Sequence, residues 1–406
     1  MKTNQKIPEG WSVKKLRDIT TLLTNGFVGS ATPHYTENEN GIIYIQGFNV
    51  KTNSFDLTGI KKVTPDFHKK NAKSCLQEGD LLTVQTGDIG VTARVPKCLA
   101  GSNCHALIIS RFNKEICDSR FYLQYYNSSI CQTRFKKIET GSTMKHINVG
   151  DLEAEYVPLP PLPEQEKIAE ILGTWDTAIE KLSALIEQKK QLKKGLMQRL
   201  LTGKQRLPGF SAPWKKVKLG DVALLFSGGT PSKEEPLYWE NGHIKWLSEK
   251  YIENDKIIGW DYITDEGLEK SSAKTTQVND IILVTRVSVG KIYFCQERYA
   301  VNQDLTVIRA KNISSNFLFF LIKNKQNLII DKSQGLAIKG ITKEELSNIS
   351  FLLPPLPEQK AIADILSKAD EEIALLTRKL SALKTQKTGL MQKLLTGQIR
   401  VKVNQA

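Results

Sequence analysis

Most signatures of catalysis and of membrane residence are missing from this 406-residue chain. No apolar run approaches the ~20 residues of a membrane span. The opening "MKTNQKIPEGWSVKK" carries no apolar stretch of signal-peptide length, so the expectation is a cytoplasmic protein with no membrane partner. No G-x-x-x-x-G-K-[ST] phosphate loop occurs, which excludes an ATP motor of that class. The Asn-Pro-Pro-aromatic or Asp-Pro-Pro-aromatic element that holds a flipped base in an adenine methyltransferase is absent. Five scattered histidines offer no Ser-His-Asp set. The six cysteines form no Cys-x-x-Cys, and Cys98, Cys104 and His105 lack a second ligand pair at zinc-like spacing. Buried, reduced thiols are expected instead. Asp66 in "TPDFHKK" has no companion acid and lysine for a metal-dependent nuclease. "FSGGTPS" (Phe226–Ser232) lacks the strand, helix and acid of a dinucleotide loop. No catalytic residue, metal ligand or cofactor site is therefore expected.

What is present is positive charge and a duplication. Lys plus Arg number 57 against 43 Asp plus Glu, a net +14, which suits a polyanion such as nucleic acid. The hexapeptide "PPLPEQ" stands at Pro160–Gln165 and again at Pro354–Gln359, 194 positions on. The register then continues without a gap. Ile168 falls on Ile362, Leu172 on Leu366, Trp175-Asp176 on Ala369-Asp370, and "GLMQRLLTG" on "GLMQKLLTG". Upstream, "GSTMKHI" (Gly141–Ile147) aligns with "GLAIKGI" (Gly335–Ile341), and "GDLLTVQTGDIG" (Gly79–Gly90) with "NDIILVTRVSVG" (Asn279–Gly290). Trp11, Leu16 and Asp18 fall on Trp214, Leu219 and Asp221. A period this long means two large units rather than a solenoid.

Each hexapeptide opens a predicted helix. Pro163 and Pro357 suit the first turn, Glu164 and Glu358 its positive dipole end, and Gly203 and Gly397 the stop. About 38 residues at ~1.5 Å each span roughly 57 Å. Apolar residues recur at steps of four and three, as in a coiled-coil seam. In the first helix they are Ile168, Leu172, Trp175, Ile179, Leu182, Ile186, Leu196 and Leu200, with Lys189 and Lys193 interrupting. In the second they are Ile362, Leu366, Ile373, Leu376, Leu380, Leu383 and Leu390, with Lys387 at the equivalent position. Each helix has an acidic first half, five acids against two bases over 164–183 and 358–377, and a basic second half. Antiparallel pairing sets acid against base, so the helices are predicted antiparallel about a pseudo-twofold axis. Lys193 should then meet the region of Asp364, Lys368 and Asp370, and Lys387 that of Glu170 and Asp176.

The predicted layout is a domain at 1–159, a long helix at 160–204, a second domain at 205–353 and a second helix at 354–406. Short β-branched runs such as "GIIYIQGF", "DLLTVQT" and "DIILVT" and helical stretches near "DSRFYLQYYNSSICQTRFKK" make the domains mixed α and β, so the fold class is α+β with an internal repeat. Strand order does not follow from the sequence.

Two variable domains, each followed by a helix opening "PLPPLPEQEKIAEIL" or "LLPPLPEQKAIADIL" and closing "GLMQRLLTG" or "GLMQKLLTG", resemble the specificity subunit of type I restriction–modification systems over essentially the whole chain. The resemblance implies two target recognition domains, each reading one half of a bipartite site in double-stranded DNA. It implies coiled-coil helices that hold them apart and dock two methyltransferase subunits, with restriction subunits joining that core. S-adenosylmethionine, ATP and Mg would then belong to the partners and no cofactor to this chain. A methylation-only or other defence system without a nuclease is the alternative. A purely structural adaptor fits less well, since its heads should be alike and these diverge.

Base reading needs side chains that reach base edges, and backbone grip needs cations. The loops after the aligned strands supply Gln85, Thr86 and Arg94 in the first domain and Thr285, Arg286, Ser288 and Lys291 in the second. Lys145 and Lys339, in the aligned glycine segments, are candidate phosphate contacts.

Overall fold

A computed structural model describes residues 7–142, 145–333 and 340–403. The chain packs as two compact units, Met1–Ser183 with Arg378–Ala406, and Ala184–Thr377. Packing thus divides the chain inside the long helices, where the repeat divides it at their ends.

In the first unit β1 (Ser12–Lys15) pairs antiparallel with β9 (Tyr156–Leu159), the strand just before the first long helix. The centre is a four-stranded sheet of β2 (Thr20–Asn25), β5 (Leu81–Val84), β6 (Thr92–Arg94) and β8 (Leu107–Phe112) in the order β2–β8–β5–β6, antiparallel throughout. A smaller sheet joins β3 (Ile42–Ile45), β4 (Lys61–Val63) and β7 (Asn103–Cys104), with β3 and β7 parallel. All four residues of β5, Leu-Leu-Thr-Val, are buried, so no polar residue alternates to a solvent face, and the one hydroxyl, on Thr83, is satisfied by Thr92 Oγ1 at 2.9 Å. One face, through Leu81 and Ile108, joins the helical core; the other, through Leu82, Val84 and Ile109, covers Ile45 and Cys104.

The predicted helical stretch after β8 forms two helices, α1 (Ser119–Tyr126) and α2 (Ser129–Ile138). The break falls at Asn127-Ser128, where the Ser128 hydroxyl accepts from the Cys131 N–H as an N-cap. Phe121, Tyr122, Tyr126 and Phe135 pack with Ile168, Leu172, Met391 and Leu394, so both long helices contribute to this core.

The second unit repeats this topology. β10 (Lys215–Lys218) pairs with Ser350–Leu353, and β11 (Ala223–Ser227), β15 (Ile281–Val284), β16 (Ile292–Phe294) and β18 (Leu305–Ala310) take the order β11–β18–β15–β16. The smaller sheet, β12 (Ile244–Leu247), β13 (Asp261–Ile263), β14 (Lys274–Thr275) and β17 (Ala300–Val301), gains a strand relative to the first unit. The ion pair of Arg111 with the buried Asp80 in the first unit recurs as Arg309 with the buried Asp280, each at 2.7 Å.

The long helices are α3 (Leu162–Leu200) and α6 (Leu356–Leu394), 39 residues each, with α4 (Ser315–Asn324) and α5 (Gln326–Lys332) between them. Both end three residues before Gly203 and Gly397, whose φ values of 71° and 70° reverse the chain. Within the second unit Lys189 of α3 pairs with Glu372 of α6 at 2.7 Å, and within the first Lys387 pairs with Asp176 at 2.5 Å. Basic C-terminal halves therefore lie along acidic N-terminal halves, and the helices are antiparallel. Seam residues Ile168, Leu172, Ile186, Ile362 and Leu366 are buried, and Trp175, Ile179, Leu182, Leu196, Ile373, Leu376, Leu380, Leu383 and Leu390 are partly buried.

The cysteines need a correction. Cys104, Cys117, Cys131 and Cys295 are buried, but Cys98 is exposed and Cys75 half-exposed; all six are free. Burial pushes the Cys117 thiol up to about 11 and that of Cys295 to about 12. Cys98 lies in a short surface turn beside Lys97, where no core is available to cover it. Among the described residues no group of His, Cys, Asp and Glu is arranged to hold a metal, and no helix is long and apolar enough to cross a membrane.

Candidate nucleic-acid interface

In each domain the loop after the central strand is pinned to the glycine segment before the long helix. The Ile147 N–H donates to the Gln85 carbonyl (3.1 Å), and Thr86 bridges to His146. The Ile341 N–H donates likewise to the Thr285 carbonyl (3.0 Å), and Arg286 bridges to Gly340. Two stretches that align separately in sequence thus meet, because the β5–β6 and β15–β16 hairpins turn back where those segments pass. The far side of each loop is held by a glutamine. Gln132 Nε2 donates to the Gly90 carbonyl and Gln326 Nε2 to that of Gly290, each at 2.8 Å. A Cβ at Gly90 would meet Phe135 and Gln132 at 2.7 Å, and one at Gly290 would meet Ile330 at 2.7 Å, so only glycine permits this approach.

The candidate residues are not equally placed. Thr86 is exposed at the first loop, and Gln85 is partly buried, its Oε1 without a hydrogen-bond partner among the described residues. Lys145 projects beside them, 70% exposed, with Glu139 at 3.7 Å. Arg94 lies at the opposite end of the hairpin. It pairs across from Leu81, and its Nε donates to Ser119 Oγ (2.9 Å), which separates it from the loop. In the second domain Thr285 is only 4% exposed, and its hydroxyl is spent on the Asp304 carbonyl and Thr306 Oγ1. Arg286 is exposed, Ser288 and Lys291 are partly so, and Lys339 lies outside the described residues.

The repeated hexapeptide turns out to be a junction. Glu164 is 1% exposed; it accepts from the Trp11 indole (2.9 Å) and from Arg400 Nε and Nη2 (2.6 and 2.7 Å). Glu358, fully buried, accepts from Trp214 (3.0 Å) and from Arg206 Nε and Nη2 (2.7 and 2.8 Å). These charge-assisted bonds raise the pKa of both arginines, the side-chain hydrogen bond to glutamate first. The neighbouring glutamines fasten each helix start to its domain. Gln165 accepts from the Asp118 N–H (2.9 Å) and donates to the Pro160 carbonyl, while Gln359 accepts from Ser314 (3.0 Å) and donates to Pro354. Helix-dipole reasoning alone missed this. The signal was available, since Trp11 and Trp214 align, and Arg206 and Arg400 both follow a "LLTG" by three residues.

Both seam lysines are 7% exposed and pair with aspartates on the facing helix, Lys193 with Asp370 and Lys387 with Asp176. Lys193 also lies over the Phe320 ring, 5.2 Å from its centroid. Burial lowers its pKa, against the opposing hydrogen bond from Asp370.

The chain matches the family model described as "Type I restriction modification DNA specificity domain" twice, over residues 8–191 and 212–385. It is 28% identical to the type I restriction enzyme MjaVIII specificity subunit of Methanocaldococcus jannaschii over 68% of this chain and 70% of that one. It is 30% identical to the EcoR124I/EcoR124II specificity subunit of Escherichia coli over 53% and 55%. In fold it is similar to the crystal structure of a type I restriction–modification S subunit from M. genitalium, with a TM-score of 0.61 at 16% identity over 100% of this chain and 99% of that one.

Proposed function

The chain belongs to the type I restriction modification DNA specificity family, and we propose that it reads a bipartite double-stranded DNA target, one half with each recognition domain. It is a specificity subunit and not itself a catalyst. The domains are 1–159 and 205–353. The helical segments 160–204 and 354–406 act as the ruler that sets the spacer, and dock two methyltransferase subunits to which restriction subunits bind. S-adenosylmethionine, ATP and Mg are bound by those partners, and the complex works on cytoplasmic DNA.

One observation carries this reading. Two domains of one topology present the same pinned loop in different lettering, Gln85-Thr86-Gly87-Asp88 against Thr285-Arg286-Val287-Ser288. A conserved frame with divergent exposed residues is what two different half-sites require. Gln85, Thr86, Arg286, Ser288 and Lys291 are the base-reading and groove-edge candidates, with Thr285 shaping its loop. Lys145, Lys339 and Arg94 are candidate phosphate contacts, Arg94 from the other end of its hairpin. The net charge of +14 adds the salt-sensitive attraction to phosphate.

The test is to map modified bases in DNA from cells carrying this chain and its methyltransferase. A split motif with a fixed spacer is expected. Modification without a motif, or at one continuous motif, overturns the reading.

A further inference from the structure

The pinned loop has one backbone in the two domains and two chemistries. In the first domain φ is positive at Gly87 (84°) and Gly90 (87°); in the second it is positive at Val287 (69°) and Gly290 (100°). Glycine takes this conformation freely, whereas for a β-branched residue it is a strained exception. Val287 gains nothing from burial in exchange, because it is 57% exposed. The first domain shows that glycine serves the turn, so the fold does not require valine there. An exposed, strained, apolar side chain at a loop tip is a feature retained for contact with something else.

Its neighbour is held in readiness. Arg286 is half exposed, and its Nη1 lies 3.4 Å from Oδ1 of Asp304, which is 13% exposed. Asp304 is itself fixed. Its Oδ2 accepts from Asn302 Nδ2 (3.0 Å), its N–H donates to Asn302 Oδ1 (3.0 Å), and its carbonyl accepts the Thr285 N–H (2.9 Å). By strand register the first domain has Ala106 where the second has Asp304, and Thr86 where it has Arg286, so this device belongs to the second domain alone. The carboxylate also says what the guanidinium faces. An acid this close weakens attraction to a phosphate, while leaving the planar donors of arginine suited to an uncharged pair of acceptors.

We propose that Arg286 and Val287 are the base-reading tip of the second domain. Arg286 donates to O6 and N7 of a guanine in the major groove, Asp304 is its positioning residue, and Val287 packs on the 5-methyl of an adjacent thymine. This rests on the DNA-reading function given above and names its chemistry in one half-site.

The experiment uses the chain in complex with its methyltransferase subunits and duplexes carrying the mapped motif. In the half-site assigned to residues 205–353, each guanine is replaced by 7-deazaguanine and each thymine by deoxyuridine. The wild-type complex should lose about 5- to 100-fold in affinity at one guanine, and several-fold at a thymine beside it. Arg286→Ala should ignore the first replacement and methylate sites with any base there, with Arg286→Lys restoring part of the preference. Val287→Gly should ignore the second replacement and unfold at a higher temperature. Asp304→Ala should lower the ratio of specific to non-specific binding while raising non-specific affinity, a split that a merely structural role would not produce. If the wild-type complex tolerates every replacement, or Arg286→Ala keeps its motif, this inference fails while the bipartite reading stands. If no motif is found at all, the reading itself has failed.

Discussion

Arg400 donates from Nε to Oε1 of Glu164 at 2.6 Å, across 236 positions of sequence, and Arg206 donates to Glu358 in the same way across 152. Each arginine follows the end of one long helix and meets the glutamate that starts the other. The carboxylates are almost wholly buried, while Arg206 is 29% and Arg400 43% exposed, so it is the glutamate that depends on its partner.

Replacing Arg206 with alanine should leave Glu358 a buried charge supported by one indole, and so lower the stability of the chain. Urea unfolding should show the loss, and Glu358→Gln in the same chain should return much of it. A midpoint unchanged in Arg206→Ala would refute the dependence.

Lys193 supplies a pH test. Burial lowers its pKa from the ordinary 10.5, so between the folded value and 10.5 the unfolded chain binds the proton that the folded chain has lost. Stability from this group therefore rises with pH in that window, and the charged lysine is a penalty below it. Lys193→Met should be more stable than the parent at pH 7, by about 1 kcal/mol, since Asp370 is 44% exposed and can hydrate alone. The gap in melting temperature should narrow as pH approaches 10. A gap that stays constant or reverses at pH 7 counts against the assignment.

Changing both Lys193 and Lys387 to leucine should raise thermal stability and relax the pairing, because a buried polar seam residue discriminates against slipped registers and other oligomers. Light scattering should detect larger species, and methylation mapping an altered spacer. A uniformly monomeric chain with its spacer intact would leave the lysines without that role.

The purified chain should transfer no labelled methyl groups and cut no DNA. Its DNA affinity should fall by about 10³-fold or more from 50 to 200 mM salt if it holds six to ten phosphates. A flat salt response would argue against a phosphate-bound partner.

Exchanging residues 1–159 for the corresponding domain of another family member should change one half of the modified motif and leave the other half and the spacer alone. Altered bases in both halves would overturn the two-module organisation.

The repeat, the helix starts and stops, the seam spacing and the charge split along each helix were legible in the sequence, because each is carried by residues near one another along the chain. Antiparallel pairing followed from them, since opposite charges and helix dipoles both prefer it. Strand order was not legible, because β8 lies between β2 and β5 through pairings that no local pattern encodes. Nor was the burial of Thr285, whose hydroxyl is satisfied by Asp304 and Thr306 from another part of the sequence. Arg94 is near the loop in sequence but removed from it by hairpin register, which sets Arg94, nine places past Gln85, opposite Leu81 at the hairpin's other end. The Glu–Trp–Arg junctions and the left-handed backbone at Val287 also waited on the fold. Each depends on which distant backbone segments meet, and that is decided by joint burial of both domain cores against the ends of the helices.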